Sequence, residues 1–161
     1  MNQAIYQLPD EPAPTTLSRF AAEPMLPLLA FMLVGSWFAL PWLAFNGFAM
    51  GSASRWREAL FCLGAPIACA LWLALVGNLG LAGLVPGISL KYLLLALPVI
   101  KLSAIYSAAI RQQKSLELFK HFGGSVGNGL YILAGGYLVH SQVQAALMKL
   151  DHNHLAFLIL S

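Results

Sequence analysis

Apolar residues in this chain fall into long unbroken blocks, not the short alternations that a water-soluble core requires. Residues 24–54 and 59–90 contain no Asp, Glu, Lys or Arg, and each block exceeds the roughly 20 residues needed to cross the hydrocarbon of a bilayer. Residues 92–110 form a third block interrupted by Lys101 alone, and residues 121–148 form a fourth without a full charge. The pattern predicts an all-α polytopic membrane protein. Its expected architecture is a bundle of about four transmembrane helices, over residues 25–50, 59–78, 90–110 and 126–148, in a domain covering 25–148. Residues 1–24, with Pro9, Pro12 and Pro14, read as a polar proline-containing tail. Residues 149–161 read as a second, short tail whose apolar end is too short to span.

Finer punctuation refines these helices. Pro41 and Pro66 fall inside the first two and are expected to kink them by removing a backbone hydrogen bond. Trp42 is expected to lie deep and face a neighbouring helix. Residues 77–89 carry Gly77, Gly80, Gly83, Gly87 and Pro86, which predicts a break in the helix. A simple turn is favoured there over a re-entrant segment, whose backbone would need protein or water to satisfy it. The third helix is predicted to run past the membrane through residues 111–121 as a cytoplasmic helical extension with Leu118, Phe119 and Phe122 on one side. Gly123 and Gly124 are expected to stop it, and Ser125 to cap the fourth helix.

Composition strengthens this picture: 59% of residues are hydrophobic and 9% charged, against roughly 25% charged in a soluble domain. The formal charge of +3 comes from scattered residues, so no nucleic-acid surface is expected. Arg55, Arg57, Arg111, Lys114 and Lys120 flank the first and third loops, against Arg19, Lys91 and Lys149 elsewhere. That bias places loops one and three in the cytoplasm and both termini outside, in what reads as a bacterial inner (cytoplasmic) membrane. Cys62 and Cys69 are seven residues apart on one helix, roughly 10 Å along its axis, too far to pair. They read as small buried hydrophobes.

Candidate chemistry centres on Lys101, because a cation mid-helix costs about 2.5–3.5 kcal/mol to insert. With Tyr106 and His140 it forms a candidate intramembrane polar site. The competing reading, a lysine that snorkels or bonds to neighbouring helices, carries more weight, because Asp10, Glu11, Glu23, Glu58, Glu117 and Asp151 all fall in tails, loops or helix ends. Gly47 with Gly51, and Ser103 with Ser107, have the small-xxx-small spacing that lets helices approach. Arg111, Lys114 and Lys120 are candidate contacts for lipid or a partner. His152 and His154 beside Asp151 have no specific metal spacing, and no catalytic, metal or cofactor motif is present. The expected role is a noncatalytic structural, accessory or interaction subunit, partnered by the lipid bilayer and by other membrane subunits or its own copies. The alternative is a small transporter or channel subunit with a polar path around Lys101 and His140. An intramembrane enzyme has the least support.

Overall fold

Every secondary-structure element described in the computed structural model is a helix, as the apolar blocks predict. The structure describes residues 17–81, 83, 92–150 and 155–160. A 3-10 turn at Ser18–Phe20 precedes α1 (Met25–Leu33), α2 (Ser36–Ala49), α3 (Arg55–Leu81), α4 (Ala96–His121), α5 (Leu130–Leu150) and α6 (Leu155–Leu160). Two helical stretches, Arg55–Gly80 and Tyr92–His121, are long and apolar enough to cross a membrane. α5 has the length, but His140, Ser141, Gln142 and Gln144 dilute its apolar character, and it is not one of the two.

The first predicted span is not one helix. Residues 25–50 divide at Gly35, whose φ of 107° lies in a region that residues with a Cβ rarely adopt. The chain reverses there, and α2 packs back along α1. Asn46, near the end of α2, accepts from Ala22 N–H at 2.7 Å and donates to Ala22 C=O at 2.9 Å. The mouth of the hairpin is thus closed just before α1 begins. The nine residues of α1 and fourteen of α2 correspond to about 13 and 21 Å at 1.5 Å per residue, short of the roughly 30 Å of hydrocarbon. Pro41 sits inside α2, so the glycine, not the proline, sets the break.

α6 approaches the hairpin tip from the other direction. Ser36, the first residue of α2, donates from Oγ to Leu160 C=O at 2.7 Å, and Lys101 Nζ donates to Leu158 C=O at 3.0 Å. The carbonyl end of one helix therefore abuts the N–H end of another, which is the favourable alignment of their dipoles.

α3 and α4 form the long axis. Their contact buries Cys62, Ala65, Ile105, Ala108 and Ala109 in the same core as Leu43 and Trp42 of α2, so Trp42 does face inward as its position suggests. Cys69 Sγ and Trp72 Nε1 reach the carbonyls of Leu97 and Leu93 at 3.9 and 2.7 Å. α3 continues as helix through Gly77 and Gly80 to Leu81, so the first part of the turn expected over 77–89 is helical; of the remainder, residues 82 and 84–89 lie outside those described. Gly123 and Gly124 stop α4 as predicted, with their N–H groups on the carbonyls of Lys120 and Phe119. The cap of α5 is Asn128, whose Oδ1 accepts from Leu130 N–H at 3.1 Å, not Ser125. Residues 111–121 are not a free extension: Leu116 and Phe119 are buried against Ala21, Ala49 and Met50, leaving Leu118 and Phe122 exposed.

One end of the bundle gathers Arg19, Arg55, Arg57, Arg111, Lys114 and Lys120, because the hairpin mouth, the start of α3 and the end of α4 all lie there. Lys101 sits well inside, and Lys149 is in the last turn of α5.

Candidate functional site

The basic end holds a polar network that starts from α2. Asn46 is fully buried, and besides closing the hairpin it donates to Gln112 Oε1 on α4 at 3.0 Å. Gln112, also fully buried, donates in turn to Leu43 C=O at 2.6 Å. Two amides thus tie the residues before α1, the body of α2 and the middle of α4 into one unit, with each buried polar group partnered.

Glu58 is the second centre. It lies in the first turn of α3, where the helix N-terminus favours negative charge, and it is fully buried. Its Oε1 accepts from Ser52 Oγ at 2.8 Å and from Ser54 Oγ at 2.5 Å. Ser52 Oγ in turn lies 2.9 Å from Ser115 Oγ. Glu58 Oε2 has no hydrogen-bond partner among the described residues. It lies in the space that Gly47 leaves by having no side chain: a Cβ there would collide with Oε2 and come within 3.1 Å of Gln112 Nε2.

In front of this network opens a cleft of about 1000 Å³ lined by Ser52, Ser54, Arg57, Tyr106, Arg111, Lys114 and Ser115, among others. Among the described residues, its lining contains three cations and no carboxylate. Ser107 belongs both to the cleft and to a smaller groove of about 290 Å³ between α3 and α4, lined by Phe61, Gly64, Ala65, Ala68 and Ala104. The Arg111 guanidinium lies 5.5 Å from the centre of the Phe61 ring, a cation–π distance, at the boundary between the two.

The expected intramembrane site is distributed over three places. Lys101 is buried and binds the end of α6; His140 Nδ1 is 2.6 Å from Val34 C=O at the hairpin tip; Tyr106 is exposed and lines the basic cleft. Arg111 and Lys114 do converge, while Lys120 is exposed and does not line the cleft. Gly47 makes room for a carboxylate, and Gly51 (φ 66°) turns the chain after α2. Ser103 and Ser107 line the groove, with Ser107 Oγ bonded to Ser103 C=O at 2.7 Å. Among the described residues no three metal-ligating side chains gather; His152 and His154 lie outside them.

Sequence reasoning missed Glu58, placing it with the other carboxylates in tails, loops or helix ends. On a helix, neighbouring residues point about 100° apart, so Arg57 faces the cleft while Glu58 faces α2. The signal lay in the pairing of Ser52 and Ser54 just before Glu58 with a glycine at 47.

Compared with protein-family models, with curated proteins and with solved structures, the chain has no match.

Lys101→Met tests the local role of the lysine. It is expected to speed hydrogen exchange of the α6 amides about tenfold, the effect of roughly 1.4 kcal/mol from a lost charge-assisted bond, with α3 and α4 unchanged. Unaltered α6 exchange would show that Leu158 is held by other groups.

Proposed function

We propose that this chain is a noncatalytic integral membrane protein whose basic end engages anionic lipid at the cytoplasmic surface. The observation that carries the reading is the convergence of Arg57, Arg111 and Lys114 on one open cleft with no carboxylate among its described lining residues. Cations near an anionic leaflet contribute about 1 kcal/mol each.

The distribution of polarity supports a bilayer as the solvent. Leu60, Leu63, Ile67 and Leu71 form an outward row along α3, each at least 60% exposed, whereas Ser36, Asn46, Glu58, Lys101 and Gln112 are buried. Apolar outside and polar within is the reverse of a soluble monomer and the arrangement that interhelical hydrogen bonding favours in lipid. In this reading α3, α4 and the more polar α5 cross, while α1 and α2 enter and leave at one face. The count of crossings then becomes three with a half-depth hairpin, in place of four. Arg19 joins the basic residues of loops one and three, which strengthens the inside assignment of that end and moves the start of the described chain to the cytoplasmic side.

A transporter reading draws on one observation, the meeting of α2 and α6 end to end inside the bundle. Broken helices that meet at the midplane line binding sites in transporters. Here Ser36 and Lys101 satisfy the α6 carbonyls, which favours a structural seam.

Two measurements test the proposal. A cysteine replacing exposed Ala53 beside the cleft is expected to react with a membrane-impermeant maleimide in inverted vesicles and to be protected in intact cells. The thermal midpoint is expected to be about 5 °C higher in phosphatidylglycerol bilayers than in phosphatidylcholine, roughly 2 °C or more per kcal/mol for a chain of this size. The combined variant Arg57→Gln, Arg111→Gln, Lys114→Gln should erase that difference. Equal midpoints for the unaltered protein in the two lipids would refute the lipid-surface role.

A further inference from the structure

We infer that the basic cleft and the adjoining groove form one site for a single anionic phospholipid, its phosphoryl headgroup held by Arg57, Arg111 and Lys114 and one acyl chain lying between α3 and α4. The inference rests on the lipid-engaging reading above and narrows it from a charged surface to one bound molecule.

Charge and donor chemistry select the headgroup. Two guanidiniums and an ammonium face the cleft, and Arg forks match phosphate oxygens while Lys adds a point charge. The hydroxyls of Ser52 and Ser54 each donate to Glu58 Oε1, and each hydroxyl has one proton to give. They therefore hold the carboxylate behind them, out of the cleft, and leave anion binding to the cations and the Tyr106 hydroxyl. A zwitterionic headgroup would bring its own cation into a lining with no carboxylate among the described residues to receive it.

The groove selects a narrow apolar chain. Gly64, Ala65 and Ala68 on α3 face Ala104 on α4 across it, so small side chains on both helices leave the space between them open. A Cβ added at Gly64 would meet nothing within 4 Å. From Phe61 to Ala68 the groove runs about 10 Å along α3, away from the basic end. That direction is the path of a lipid chain beneath its own headgroup in a bilayer. The two compartments are joined: Ser107 lines both, and Arg111 rests on Phe61 at the junction. A cation is thus placed where phosphate gives way to hydrocarbon.

The test is lipid retention by the full chain purified in mild detergent, with extracted phospholipids quantified per protein by mass spectrometry. About one anionic phospholipid per chain is expected. The double variant Arg111→Gln, Lys114→Gln should lower retention at least fivefold, and so should Gly64→Leu, which fills the groove without touching a charge. Gly77→Leu, on the same helix outside the groove and with equally open space, should retain lipid as the unaltered protein does. Retention by Gly64→Leu equal to the unaltered protein would overturn the chain assignment, and with it the site. Equal loss from Gly77→Leu would also overturn it, since filling the groove would then have no special effect. Release of the lipid by 10 mM inorganic phosphate alone, a concentration of order the millimolar affinity of a bare ion contact, would reassign the cleft to free phosphate. The bilayer midpoint comparison separates this inference from its basis. No retained lipid alongside a persisting phosphatidylglycerol effect removes the single-lipid site alone, whereas loss of both removes the lipid-surface role as well.

Discussion

Asn46→Leu is expected to lower the thermal midpoint of the purified protein by about 10 °C. The leucine keeps the branched outline of the amide but is bulkier, so some overpacking is added, and Ala22 N–H, Ala22 C=O and Gln112 Oε1 all lose their partner inside the bundle. A buried polar group left unpaired costs about 1–3 kcal/mol. In a membrane protein, where an unfolded chain also finds partners, each interhelical bond contributes nearer 0.6–2 kcal/mol. Three such losses give roughly 2–6 kcal/mol, and each kcal/mol moves the midpoint about 2–4 °C at this chain length. Differential scanning fluorimetry in detergent measures it. Asn78→Leu is the control: Asn78 is exposed and, among the described residues, bonds within its own helix to Ala74 C=O, so its replacement should shift the midpoint by less than about 2 °C. Equal shifts for the two would mean that the hairpin mouth is held by apolar contact and not by the Asn46 amide.

The second large effect is a rescue. Gly47→Ala places a methyl against Glu58 Oε2 and Gln112 Nε2, and since Glu58 is enclosed on all sides, overpacking should cost about 2–3 kcal/mol. Glu58→Ala removes the acceptor of two serine hydroxyls and leaves a void, costing about 1–3 kcal/mol. Combined, the added methyl occupies part of the vacated space, and only its milder approach to Gln112 Nε2 remains. The double variant is therefore expected to be more stable than the sum of the two losses by about 1–3 kcal/mol, the range seen for residues in contact. Strict additivity would show that Gly47 is required for backbone approach between α2 and α3 and not to house the carboxylate.

Much of this molecule was legible in the order of its residues. The apolar blocks over residues 59–90 and, broken only by Lys101, 92–110 announce helices, because a backbone cannot be left unsatisfied in apolar surroundings and a helix satisfies it locally. The stop at Gly123 and the inward Trp42 came from equally local rules. Three features escaped those rules. The block over residues 25–50 has the length of one span, and nothing in its composition distinguishes a crossing from a hairpin; Asn46 reaching Ala22 across 24 positions decides it. Glu58 sits among arginines in the sequence yet is turned inward by helical phase and housed by a glycine eleven positions away. Lys101 lacked a visible partner because its acceptor, Leu158 C=O, is a backbone atom 57 residues distant.

The pattern of apolar and polar positions by itself determined that the chain is helical and where most helices begin and end, since hydrogen bonding within a helix depends on neighbours four residues apart. It also placed every cation but Lys101 in a tail, a loop or near a helix end. Only the tertiary structure decided which ends lie together, bringing Arg57, Arg111 and Lys114 onto one cleft and folding the first apolar block back on itself. Those outcomes depend on contacts between residues tens of positions apart, whose strength is set by burial and geometry and not by adjacency in the chain.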